Sequence, residues 1–295
     1  MMYTAKQFLK YHLGMDVAGR NLAVFPDDTF LVSYPRSGNT WTRFLVGNLL
    51  HPQEAVSFDN IERLIPDAEA QSSTYLRRIP RPRVIKTHQY FDHRYPRVIY
   101  IVRDPRDVAV SYYHFARKYR HITDQCSLQE FVFDFVHGRL NSASWGTWAE
   151  NVGTWLAARD GDPRFLLLTY EDLSRQTETE LRKIAGFLGV DNSPQRLRDV
   201  CVRSSAERMR ELEKSQSNRW ISTKNKRSDI PFIGSASAGQ WKSALAPEAV
   251  SEIEAAWGAL MVRLGYELTT NSRTECLESG SSPLPSRVLQ PARSE

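Results

Sequence analysis

A chain of 295 residues with 41% hydrophobic and 25% charged residues can bury a large core, which excludes a fibrous or wholly disordered protein. The net charge of +5 is modest, but basic residues crowd the stretch from Arg77 to Arg120, so an anionic ligand is expected there. No apolar run approaches the roughly 20 residues of a membrane helix, and the N-terminal residues lack the apolar core of a secretory signal; a cytoplasmic protein without membrane contact is expected.

In chain order, Thr29-Phe30-Leu31-Val32-Ser33-Tyr34 is a run of strand formers ending at a proline and a Ser-Gly pair, which predicts a buried strand entering a loop. Asn39 reads as the N-cap of a helix whose apolar side is Trp41, Phe44, Leu45 and Leu49. Strands follow at Val84-Ile85-Lys86-Thr87 and at Arg97-Val98-Ile99-Tyr100-Ile101-Val102, the latter apolar as expected of a parallel strand covered on both faces. Asp104 and Pro105, with Asp107 in the capping-box position, start a helix through Tyr112 and Phe115. Ser127 and Glu130 cap the next, and Trp145, Trp148, Val152, Trp155 and Leu156 lie along one side of another, where core packing is the simplest reading. Phe165-Leu166-Leu167-Leu168-Thr169-Tyr170 is a further buried strand, and the last two strongly periodic helices end at Gly189 and Gly265. The alternation predicts an α/β protein: a P-loop-like three-layer fold with a central parallel sheet flanked by helices, one domain over 1–268 and a disordered tail over 269–295. Cys126, Cys201 and Cys276 form no CxxC pair, so reduced thiols are expected.

Three segments carry chemistry. The loop Tyr34-Pro35-Arg36-Ser37-Gly38-Asn39-Thr40-Trp41 joins a cation, hydroxyls and a glycine at a helix N-terminus, all suited to an oxyanion. It is no Walker A loop, since the first glycine and the Gly-Lys pair are missing, which disfavours an ATP or GTP hydrolase. Lys86-Thr87-His88 follows the second strand, and Arg103-Asp104-Pro105-Arg106-Asp107-Val108-Ala109-Val110-Ser111 leaves the third. The other histidines show no mutual ligand spacing, so no metal site is expected.

These segments resemble, in order, the motifs of sulfotransferases that use 3′-phosphoadenosine 5′-phosphosulfate (PAPS), whose loop reads Tyr-Pro-Lys/Arg-Ser-Gly-x-Thr-Trp. The resemblance runs from about Phe30 to Gly265. It implies that Arg36, Ser37, Gly38, Asn39, Thr40 and Trp41 hold the phosphosulfate, and that Arg103 and Ser111 hold the 3′-phosphate. His88 would be the general base, with Arg36 and Lys86 stabilising the leaving phosphate. Tyr170 and Ser204 would lie near the adenine, and the Gly239 loop would anchor the donor. The implied reaction is metal-independent in-line sulfuryl transfer to a small hydroxyl or amine acceptor, with no nucleic acid involved.

One departure is informative. Where the family has Arg-Lys before Gly-x-x-Gly-x-Trp, this chain has Gly234 and Ser235, so two cations of the 3′-phosphate grip are missing, and Lys224, Lys226 and Arg227 on a preceding polar segment, read as a mobile lid, are the candidate replacements. The family's dimerisation segment is not evident near Lys242 to Glu254, which leaves the oligomeric state open. Two other readings share the topology: a Mg²⁺-dependent nucleotide kinase, and a nucleotide-binding protein without turnover.

Overall fold

The computed structural model describes residues 17–140, 144–234 and 236–269. Ser235, Cys276 and the expected tail beyond Thr269 lie outside the described residues. Four strands, β1 (Thr29–Ser33), β2 (Val84–Thr87), β3 (Arg97–Val102) and β4 (Phe165–Thr169), form one parallel sheet in the order β2-β1-β3-β4. β1 is buried along its whole length, as its unbroken apolar run requires. The register sets Val32 opposite Thr87 and Ser33 opposite Ile101, so the carboxyl ends of the three strands carrying the motifs lie side by side.

Side chains alternate across the sheet, and each face is covered. Phe30, Val32, Tyr100 and Val102 pack under α4 (Pro105–Lys118), α5 (Leu128–Val136), α6 (Trp148–Arg159) and α12 (Pro247–Arg263), with Trp148 and Trp155 fully buried. Leu31, Ile99 and Ile101 pack under α1 (Asn39–Leu50), α8 (Thr177–Leu188) and α9 (Pro194–Arg203). This is the expected three-layer arrangement. The remaining helices are α2 (Ile61–Leu64), α3 (Ser73–Arg78), α7 (Tyr170–Arg175), α10 (Ala206–Gln216) and α11 (Trp241–Ala244). Gly189 ends α8 in the left-handed conformation, as expected.

Four local expectations need correcting. Gly38, at φ 95°, is the N-cap of α1, and Asn39 is its first residue, turned back to donate to the Leu31 carbonyl and the Ser33 hydroxyl. Asp107 does not close a capping box with Asp104; the Asp104 amide bonds Glu171, and Asp107 accepts from the Gly239 and Trp241 amides. Trp145 precedes α6, which starts under a Thr147–Glu150 capping box. Tyr170 opens α7 and does not end β4. In each case a long-range contact or a neighbouring cap outcompetes the local pattern.

β1 and β2 are fastened at their entry by a buried ion pair. Arg83 Nε and Nη2 donate to Asp28 Oδ1 and Oδ2 at 2.8 and 2.5 Å, and Arg83 Nη1 donates to the Leu76 carbonyl. Arg83→Met leaves a buried carboxylate unpaired and is expected to cost about 3–5 kcal/mol in urea unfolding, whereas a loss below about 1 kcal/mol would mean that the pair is not fastening these strands.

Candidate active site

The aligned strand ends open onto a cavity of about 1110 Å³. A crevice at the carboxyl ends of parallel strands is where such sheets bind ligands. Arg36 and Gly38 line it from the loop after β1, Asn39, Thr40 and Trp41 from the first turn of α1, Lys86 and His88 from β2 and its end, and Arg103 from the end of β3. Ser111, Tyr170 and Ser204 complete the set, whereas Ser37 and Gly239 are not among the lining residues.

The loop is shaped by two left-handed residues, Arg36 at φ 68° and Gly38 at φ 95°. A side chain at position 38 is excluded twice over, since a Cβ there would also lie 2.4 Å from Tyr170 Cδ2. The Tyr170 ring meets Trp41 edge-on and carries the Arg103 guanidinium 4.1 Å from its centroid. Arg36 sits between the rings of Phe115 and Phe232, each at 5.0 Å, and donates from Nε to Ser111 Oγ at 3.2 Å. Burial lowers its pKa to about 10, which leaves it cationic at neutral pH.

Arg103 is buried, donates to the carbonyls of Ser237 and Arg36, and lies 3.8 Å from the Asp107 carboxylate. Among the described residues, its Nε and the buried Ser37 hydroxyl have no hydrogen-bond partner. Together with the first-turn amides of α1, which need partners from outside the helix, they fit a polyanionic group. Gly239, at φ 79°, acts through its amide, which Asp107 Oδ2 accepts at 2.6 Å, so its loop is tied to the start of α4. Ser204 lines the cavity, and its hydroxyl accepts from Asn48 while its carbonyl accepts from Trp41 Nε1 at 2.9 Å, so it also fixes the tryptophan.

Lys226 lines the cavity with Nζ 4.8 Å from the Tyr119 ring centroid, whereas Arg227 is paired with Asp124 and Asp229. Lys118 Nζ donates to the Arg227 and Ile230 carbonyls, holding that segment against α4. Arg210 on α10, not expected from the sequence, donates to the Gly234 carbonyl at 2.9 Å.

Lys86 and His88 lie at the end of β2. Lys86 Nζ lies 2.9 Å from Asp67 and 3.1 Å from Glu69, residues from a distant segment that no local pattern marks. His88 Nδ1 donates to the Ser33 carbonyl at 2.8 Å, which leaves the lone pair on Nε2. Desolvation, reinforced by Lys86, lowers its pKa to about 3, so the ring is neutral at pH 7. Asn151 holds the backbone on both sides, donating to the carbonyls of His88 and Trp145 at 3.0 Å each. Among the described residues, no three His, Cys, Asp or Glu side chains gather as metal ligands, and no helix is long and apolar enough to cross a membrane.

Residues 26–265 match the family model of the sulfotransferase domain. The chain belongs to the sulfotransferase family. Rat sulfotransferase 1C2 is 26% identical over 236 residues, covering 74% of this chain and 77% of its own. Mouse sulfotransferase 1 family member D1 is 28% identical over 233 residues, covering 74% and 78%. Retinol dehydratase in complex with androsterone and the inactive cofactor PAP superposes with a TM-score of 0.67 at 24% identity, over 83% of each chain. Mouse sulfotransferase SULT7A1 complexed with PAP gives 0.67 at 23% identity, over 89% of this sulfotransferase and 91% of that chain. At these identities the two structures establish the fold.

Gly38→Ala is expected to destabilise the sulfotransferase by about 1–3 kcal/mol through strain at positive φ and the clash with Tyr170. Trimming the ring with Tyr170→Ala should recover part of that loss in the double variant, measured by chemical unfolding; strict additivity would contradict the contact.

Proposed function

We propose that this sulfotransferase moves the sulfuryl group of PAPS to the hydroxyl or amine of a small acceptor, with His88 as general base and no metal. The carrying observation is the 2.8 Å bond from His88 Nδ1 to the Ser33 carbonyl, which leaves the lone pair on Nε2 of a residue that lines the same cavity as the donor loop. The acceptor oxygen bonds to sulfur as the bond from sulfur to the phosphate oxygen breaks, PAP leaves, and the acceptor proton passes to Nε2. The imidazole takes that proton only as the forming bond acidifies the hydroxyl, because the resting site disfavours its charged form. Arg36, the Ser37 to Trp41 backbone and the start of α1 hold the phosphosulfate. Lys86, steadied by two carboxylates, stabilises the leaving phosphate.

Arg103 and Ser111 bind the 3′-phosphate, a role supported by the unpartnered Arg103 Nε and by the Ser111 hydroxyl, which accepts from Arg36 and keeps its proton to donate. Tyr170, Trp41 and Ser204 form the nucleoside wall, and Gly239 braces it through Asp107. The named complexes of retinol dehydratase with androsterone and with retinol support a lipophilic hydroxyl as acceptor.

The proposal is tested by screening acceptors by mass spectrometry for an added sulfuryl group, with PAPS as donor and a chelator present. Transfer should persist with chelator and fall at least about 100-fold in His88→Ala; loss on chelation would favour the kinase reading, and equal activity in the variant would remove His88 as base. A pKa below the ordinary 6.5 delays protonation as pH falls, so the acid limb of kcat/KM should lie below about pH 5. The sign for stability is the same: from pH 6.5 downward the unfolded chain binds a proton that the folded His88 refuses, so stability falls in that window.

The 3′-phosphate end gives a gain-of-function test. A Cβ on Gly234 would meet nothing within 4 Å, so Gly234→Arg is accommodated and should tighten PAP binding about tenfold by calorimetry. Unchanged affinity would place the 3′-phosphate elsewhere.

A further inference from the structure

The pairing of β2 with β1 ends at Thr87, opposite Val32. His88 is therefore the first residue beyond the ladder, and its amide has no strand to bond. One side chain replaces that strand. Glu69 Oε1 accepts from the His88 amide at 3.0 Å, from Thr87 Oγ1 at 2.7 Å and from Gln89 Nε2 at 3.4 Å, and Glu69 Oε2 accepts from Lys86 Nζ at 3.1 Å. A single carboxylate thus holds residues 86 to 89 in succession.

We propose that Glu69 is a positioning residue for sulfuryl transfer, fixing both the Lys86 ammonium and the backbone that carries His88. The inference rests on the reading of His88 and Lys86 given above. Glu69 is itself well placed: Asp67 forms a parallel bridge with Lys86, the Ala68 amide donates to the Lys86 carbonyl at 2.9 Å, and Asp67 Oδ1 accepts from the Glu69 amide at 2.8 Å. Burial alone would raise the Glu69 carboxyl, but Lys86 and the surrounding hydrogen-bond donors more than offset it, so the group stays ionised. Because Asp67 already pairs with Lys86 at 2.9 Å, charge neutralisation does not by itself require Glu69. The added contribution is geometric. The His88 ring can reach the Ser33 carbonyl only while its own backbone is held at this distance from β1.

The test separates geometry from charge with two variants. Glu69→Gln keeps an oxygen for the Thr87 and His88 donors but loses the charge toward Lys86; Glu69→Ala loses both. Amide hydrogen exchange at His88 should be near wild type in Glu69→Gln and at least about tenfold faster in Glu69→Ala. The kcat for transfer from PAPS should fall in the order wild type, Gln, Ala, by about tenfold or more in the last, while PAP affinity stays within about threefold. Unchanged exchange in Glu69→Ala overturns the proposal, as does faster exchange with unchanged kcat, or Gln and Ala variants that behave alike. If the alanine variant does not fold, the glutamine variant decides through its intermediate kcat and protected amide. A wild-type enzyme without sulfuryl transfer would instead sink the functional reading, and the exchange arm would still report whether Glu69 holds His88.

Discussion

The site depends on a constraint of the sheet: three parallel strands stop side by side, and the chain leaves each of them at the same edge. The Ser33 carbonyl at the end of β1 orients His88 just past the end of β2, while the loop that follows Ser33 supplies Arg36 and the start of α1. Arg103 leaves β3 one step further along. A slip of register by one residue would turn alternate side chains to the opposite face and separate these groups, so the hydrophobic alternation that fixes the two core layers also fixes the chemistry.

Tyr170 links the parts that the strands bring near one another. Its ring fills the space a side chain at Gly38 would take, meets Trp41 and supports the Arg103 guanidinium. Behind Arg103, Asp107 ties the Gly239 loop to α4, and Arg106 joins Asp104 to Glu254 on α12. The donor end is therefore braced by charges buried in opposite-sign pairs. Such pairs add little net stability but are costly to break singly, so they favour one arrangement over its competitors.

Legibility in the sequence followed the range of the interactions. The loop from Tyr34 to Trp41, the Lys86-Thr87-His88 triplet and the helix start after Arg103 were all readable because strand, turn and cap are written in contiguous residues. The pairing of Lys86 with Asp67 and Glu69 was not legible, because both carboxylates reach it from a separate segment across a sheet edge. The Asp104–Asp107 capping box failed for a related reason: the Gly239 and Trp241 amides offer Asp107 a partner more than a hundred residues away. The Arg36 stack on Phe115 and Phe232 was equally hidden, since aromatic residues read as core until a cation is seen between them. Asn39 lost its capping place to Gly38 because the loop needs a left-handed residue where only glycine fits.

The proposed role of His88 requires a neutral ring, held by the end of β1, with its lone pair on Nε2. Nitrogen-15 NMR of the imidazole in the PAP-bound enzyme tests it directly. A proton on Nδ1, a bare Nε2 and no protonation of the ring down to about pH 5 are expected. A proton on Nε2 at neutral pH, or titration near 6.5, would contradict it.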